Sequence, residues 1–178
     1  MAPRIVRGRT RRAHIAVGDP NAPDVLALFA ERDAHFARLY PGRDTTRIPG
    51  QTLDRPDVAF FVARSAAGLL GCGALLCQGR NGELKRFFVR REARGLGLGA
   101  GLLRAAELEG VCRGLWRIRL EVGRPQREAL ALYRNAGYLP IRSFGDYAPD
   151  PVSLFLGKAL QRVSGPVRSG GSRRLMTQ

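Results

Sequence analysis

Four glycines stand two residues apart in "RGLGLGAGLL", at Gly95, Gly97, Gly99 and Gly101. They lead directly into an apolar run with helical spacing. Glycine costs a helix interior about 1 kcal/mol relative to alanine, so this density at a helix start needs a use. A helix N-terminus offers unpaired N–H donors and the positive end of the helix dipole. Residues without Cβ let an anion come within hydrogen-bond reach of the backbone. The chemistry these residues suit is the holding of a phosphate or pyrophosphate. The competing reading is a loop of no function, and a bare turn would need fewer glycines.

Three kinds of site could use the ladder. A P-loop requires Lys-Ser or Lys-Thr after its glycines, and neither follows here. A dinucleotide fold would use Gly95-x-Gly97-x-x-Ala100, with Glu121 near the place of a ribose-binding acid. Against it, the five residues from Arg90 to Arg94 intervene between strand and first glycine, and the preceding strands read as a meander. The third pattern begins one residue earlier, as Arg94-x-x-Gly97-x-Gly99. It resembles the acyl-CoA-binding motif R/Q-x-x-G-x-G/A of the GCN5-related N-acetyltransferases, the GNAT family. "ELKRFFV", from Glu83, resembles that family's central fourth strand, and "LYRNAGY", ending at Tyr138, resembles its LYxxxGF/Y helix end. In element order the resemblance runs from about Ala13 to Leu160.

What the resemblance implies is an acetyl-CoA-dependent N-acetyltransferase. Acetyl-CoA would be the co-substrate, and the acetyl group would pass directly to an amine in a ternary complex. The pyrophosphate would meet the backbone from Arg94 through Gly95, Leu96, Gly97, Leu98 and Gly99 to Ala100. Phe87, Phe88 and Val89 would offer backbone groups to the pantetheine arm, with one N–H holding the thioester oxygen. Tyr133 falls on the family's general-acid position and Glu83 on the general-base position of its histone-acetylating branch. Each has a bland competitor, a core tyrosine and a solvated edge glutamate. Where relatives often carry an asparagine ahead of the last helix, this chain has "GRPQREA", which makes Gln126 the expected cofactor contact. The acceptor would be a small molecule or amino-acid-like amine. Arg47, Arg142 and Tyr147 are the expected acceptor contacts, with Arg43 and Asp146 as further members of the same two loops. The alternatives are a protein N-acetyltransferase, a basic nucleic-acid-binding module and an acyl-CoA sensor without activity. The module lacks a recognition-helix pattern or RNP-like aromatics.

The elements that must position these residues follow from periodicity. Strands are predicted over 13–17, 58–64, 69–78, 83–90, 115–123 and 152–160. Helices are predicted over 23–40, 98–112 and 125–138. Short links at "SAAG" and "RNG" make the three middle strands an antiparallel meander. The expected fold is α/β (mixed α+β), with a central, mostly antiparallel mixed sheet of six to seven strands flanked by helices. Residues 1–12 read as a flexible basic leader, 13–160 as the one GNAT domain, and 161–178 as a disordered basic tail.

Composition narrows the rest. The chain has 178 residues, 44% of them hydrophobic, and a formal charge of +15. All but two of its 30 basic residues are arginine, the exceptions being Lys85 and Lys158. Such charge favours an anionic partner by long-range attraction, although much of it lies in the two ends, which read as solvated. No specific nucleic acid is expected. No apolar run reaches the length of a membrane helix, and no export signal is legible, so a cytoplasmic protein is expected; a homodimer is left open. Cys72, Cys77 and Cys112, with His14 and His35, lack metal-ligand spacing, so no metal is expected.

Overall fold

A computed structural model of the chain describes residues 13–43, 53–147 and 150–161. The leader 1–12, Arg47 and the tail from 162 onward lie outside the described residues. The elements run β1 (His14–Val17), α1 (Pro23–Leu39), β2 (Val58–Ser65), β3 (Gly68–Gln78), β4 (Asn81–Val89), α2 (Leu98–Cys112), β5 (Arg117–Gly123), α3 (Arg127–Asn135), β6 (Leu139–Pro140) and β7 (Ser153–Ala159). One 3-10 turn, Arg91–Ala93, joins β4 to the glycine ladder. The predicted helices and strands are present with boundaries moved by a few residues. The two-residue β6 has too few residues for any period and was not legible.

The strands form one seven-stranded sheet in the order β1-β2-β3-β4-β5-β7-β6. Among the described residues its pairs are antiparallel except β4 with β5. This excludes the dinucleotide alternative, whose sheet is mostly parallel. Glu121, its expected ribose acid, instead accepts a hydrogen bond from the Ser153 hydroxyl. The middle strands are buried on both faces. Ala59, Phe61 and Ala63 of β2 join α2 and α3 in one core, while Phe60 and Val62 join α1 in the other. Alternating residues of one strand thus serve two cores, so β2 reads as an unbroken apolar run.

The sheet does not stay closed. β4 pairs with β5 only over Asn81–Glu83 and Arg117–Arg119. β5 then continues against β7 as far as Gly123, while β4 stays with β3. The parting coincides with a β-bulge. Between the pairs Ala74–Lys85 and Cys72–Phe88, β3 has one residue, Gly73, and β4 has two, Arg86 and Phe87. An extra residue bends its strand and increases the local twist. Arg86 takes φ 56°, the one positive φ outside glycine among the described residues. A left-handed conformation costs an ordinary residue about 1–2 kcal/mol.

Three contacts hold Arg86 there. Its side chain is buried and donates to Asp33 Oδ1 at 3.3 Å. Its guanidinium lies 5.1 Å from the centre of the Phe29 ring. Its carbonyl accepts from the buried Cys72 thiol at 3.4 Å. Burial pushes that thiol up to about 12, so Cys72 stays protonated and keeps donating. The bulge also needs Gly73, since a Cβ there would stand 2.6 Å from the Phe87 ring. Gly73→Ala should therefore destabilise the protein by about 1–3 kcal/mol, the usual penalty for overpacking. The check is a denaturant titration, in which the midpoint should fall while the slope m stays unchanged.

Candidate active site

The parted strands open a cleft of ≈ 730 Å³, within the usual range for small-molecule sites. One wall is the free edge of β4, Phe87 to Val89. The opposite wall is α3, with Gln126, Leu132 and Tyr133. The glycine ladder and the start of α2 close the end, and His35, Phe36 and Leu39 of α1 close the side. Beyond Glu83 the outer edge of β4 has no strand beside it. Its N–H and C=O groups can therefore pair with an extended molecule that carries amides.

The ladder is built for backbone contact. Gly97 is the residue ahead of α2, with φ 78° and no side-chain cap. Gly95 has φ 77°. A Cβ on either would meet nothing within 4 Å, so space is left on the ligand side and the need for glycine is conformational. Gly99 serves another purpose, because a Cβ there would press to 3.2 Å on Leu132 of α3. The first intrahelical bond shown at this end is Gly101 N–H to the Gly97 carbonyl, so the preceding N–H groups face the cleft end without intrahelical partners. These donors suit a pyrophosphate, and the β4 edge suits an amide-bearing arm.

Of the expected cofactor contacts, Phe87, Phe88, Val89, Arg94, Gly95, Gly97, Leu98, Gly99, Ala100, Gln126 and Tyr133 all line the cleft. Leu96 does not; it is 48% exposed and supplies only backbone. The Arg94 side chain bridges the cleft mouth, from Nε on the Val89 carbonyl (3.3 Å) to an ion pair with Glu128 of α3 (3.0 Å). Gln126 donates to Tyr40 Oη at 2.9 Å. Tyr133 is 6% exposed, and burial pushes its phenol above the ordinary tyrosine range. Burial first, then the positive charge of Arg94 and Arg38, holds His35 below its ordinary value, which keeps the ring neutral at pH 7.

Glu83 lies apart from this wall. It is 6% exposed, on the sheet face that carries α1. Tyr147 Oη donates to its Oε1 at 2.6 Å, and Lys85 Nζ sits 2.6 Å from the same oxygen. Lys85 also donates to Tyr147 Oη. The edge glutamate of the bland reading is thus a buried carboxylate with two partners. Tyr147 packs edge-on with Phe144 and Phe155, at 5.4 and 5.3 Å between ring centres. Arg43 pairs with Asp150. Arg142 is exposed and has no hydrogen bond or ion pair among the described residues. Sequence reasoning missed His35, Phe36 and Lys85. Phe36 read as an ordinary core position. Lys85 carried a signal, being one of two lysines in an arginine-rich chain. Among the described residues, no cluster of His, Cys, Asp and Glu could hold a metal, and no helix is long and apolar enough to cross a membrane.

Comparison with known proteins places this geometry. A family model described as an acetyltransferase (GNAT) domain matches residues 56–140. A protein of Azospirillum brasilense named IAA acetyltransferase is 40% identical over 148 residues, which span 82% of this chain and 97% of that protein. A solved candidate acyl-CoA N-acyltransferase from Klebsiella pneumoniae is 34% identical with a TM-score of 0.72, covering 85% of this chain and 99% of that one. An N-acetyltransferase of Thermoplasma acidophilum, solved in complex with coenzyme A, shares the fold at 18% identity and a TM-score of 0.64, covering 83% and 99%.

The conformational reading of Gly97 is open to measurement. Gly97→Ala should cost about 1–2 kcal/mol of stability from the left-handed backbone alone, since its Cβ meets nothing. Gly99→Ala, at an ordinary helical position, should cost less. Guanidinium unfolding of both variants checks the order.

Proposed function

Because the chain belongs to the GNAT family of acyl-CoA-dependent acetyltransferases, we propose that it moves an acetyl group from acetyl-CoA to a small-molecule amine by direct attack in a ternary complex. The observation that carries this reading is the cleft between β4 and β5, with an open strand edge on one side and a glycine-opened helix start at its end. Acetyl-CoA supplies the activated acyl group, a thioester whose sulfur leaves as a thiolate while the amide bond forms.

The residues divide the work. The backbone from Arg94 to Ala100, with the dipole of α2, holds the pyrophosphate. The β4 edge at Phe87, Phe88 and Val89 aligns the arm as an added strand. A backbone N–H near Phe88 or Val89 donates to the thioester oxygen and stabilises the charge that develops there. Tyr133 Oη faces the cleft and donates to the leaving sulfur. Its raised pKa sits far above that of a thiol, so it works chiefly as a fixed hydrogen-bond donor and not as a full proton donor. On the acceptor side the amine must lose a proton to attack, since its ordinary pKa is ~10.4. Tyr147 takes that proton and passes its own to Glu83, along the hydrogen bond already present. Arg142 and Tyr147 belong to the loop that borders the acceptor.

Acetyl-CoA should raise the melting temperature, because a ligand that binds only the folded state stabilises it, by about 2.7 kcal/mol at a hundred times Kd. NADH should leave it unchanged; the reverse pattern would refute the reading. Tyr133→Phe should keep the acetyl-CoA shift and lower kcat by about 10²-fold or more. The phenol stays protonated beyond its ordinary value near 10. The loss should therefore be uniform from pH 6 to 9, and the basic limb of the profile should not move. Glu83→Gln should instead lower kcat/KM most steeply at acid pH, where free amine is scarcest.

A further inference from the structure

Arg119 of β5 stands opposite Glu83 of β4, in the last pair before the two strands part. Strand alternation puts Glu83, Lys85, Arg119 and Glu121 on one face of the sheet. Neither carboxylate there pairs with Arg119. Glu83 takes Lys85 and the Tyr147 hydroxyl, and Glu121 takes the Ser153 hydroxyl. Among the described residues Arg119 has no ion pair and no hydrogen bond, and its Nε is buried without a partner. Its guanidinium lies 4.3 Å from the centre of the Phe144 ring. That ring packs in turn against Tyr147 at 5.4 Å and Phe155 at 5.7 Å.

A guanidinium placed over an aromatic ring, with its Nε removed from water and no ion pair among the described residues, is costly unless oxygens arrive to meet it. Its planar fork fits two coplanar oxygens better than a tetrahedral array. Phe144, itself packed on Tyr147 and Phe155, supports one side of the guanidinium, so less rotamer freedom is left to lose on binding. We propose that Arg119 binds a carboxylate on the acceptor, so that the enzyme takes amines that carry a carboxylate in preference to simple amines. The inference rests on the acetyltransferase reading of the same site. It also orients the acceptor, with the anion at Arg119 and the nitrogen towards Tyr147 and Glu83.

The test compares matched acceptors in an acetyl-CoA assay that detects free thiol: α-amino acids, the primary amines left when the carboxylate is removed, and the matching aminoalkyl phosphates. The amino acid should exceed its decarboxylated partner in kcat/KM by about ten- to a hundredfold, the range of a charge-assisted pair. Arg119→Met keeps length and apolar stacking, and should collapse that ratio towards one, mainly through KM. Arg119→Lys should restore part of it. Retention of the acetyl-CoA thermal shift establishes that each variant is folded. A wild-type ratio near one, a preference for the phosphate, or a ratio unaltered in both variants would overturn the carboxylate assignment. So would an acetyl-CoA shift with no amino acid turned over, while leaving acetyl-CoA binding in place. Absence of the shift from the wild-type protein would remove the parent reading itself.

Discussion

The extra residue in β4 is the constraint on which the site depends. A regular β4 would continue beside β5, and the sheet would close over the space the cleft now occupies. The bulge at Arg86 and Phe87 also changes parity. Glu83 and Lys85 face α1 before it, Phe87 meets Tyr133 on the other face, and Phe88 is back among the α1 core. One strand thereby presents a paired carboxylate to one side and an aromatic cleft wall to the other. The left-handed backbone at Arg86 costs energy, and buried partners offset it. Asp33, one of these partners, is itself shared, since it pairs with Arg32 at 2.6 Å as well as with Arg86 at 3.3 Å. Two half-dry guanidiniums share a single carboxylate, and Arg32 accordingly sits below its ordinary range, through burial first and Arg86 second. The arrangement depends on Asp33, since removing it would leave both guanidiniums without their carboxylate.

Much of this was legible in the residues. The apolar run of α2 and the helical spacing of α3 were periodic signals, and both elements fall close to the predicted spans. The glycine ladder was legible because its residue type is costly where it stands. The bulge was not. Nothing in "ELKRFFVR" distinguishes two residues opposite one from a regular ladder, because register belongs to the pair of strands. The nearest signal lay on the neighbouring strand, in "LLGCGALL", where Gly71 and Gly73 leave room for the Phe88 carbonyl and the Phe87 ring. Glu83 was singled out through the family resemblance of "ELKRFFV". Its partners came from Lys85, two residues away, and from Tyr147, 64 residues on, and only the fold reveals the second.

The distribution of charge fits a division of labour. The chain's excess of arginine gives a long-range pull on any anion, and most of the described ion pairs lie near the surface, where each contributes little. Arg94 with Glu128 is of this kind, with Glu128 75% exposed on its side chain. It spans the cleft mouth without sealing it, and thermal opening costs little. On the proposed function, specific recognition falls instead to groups that water does not screen: the amides ahead of α2, the β4 edge, and the Arg119 guanidinium beside its aromatic support.

Lys85 shows why the arginine habit breaks where it does. An arginine at this position would meet Glu83 with a planar fork and take both carboxylate oxygens. A fork so turned aims its paired N–H groups at the carboxylate and away from Tyr147 Oη. An ammonium is compact and carries three donors on one atom. Lys85 can therefore touch Glu83 Oε1 and Tyr147 Oη together, leaving the tyrosine's own proton directed at Glu83. The triangle holds the carboxylate and the phenol oxygen on one Nζ and so keeps the phenol oriented. In the proposed relay, a proton arriving at Tyr147 from the acceptor side passes inward to Glu83 along the existing hydrogen bond, and the phenol rather than the carboxylate meets the amine. The choice of lysine is a matter of geometry, since either residue would supply the charge and only one leaves the relay its second hydrogen bond.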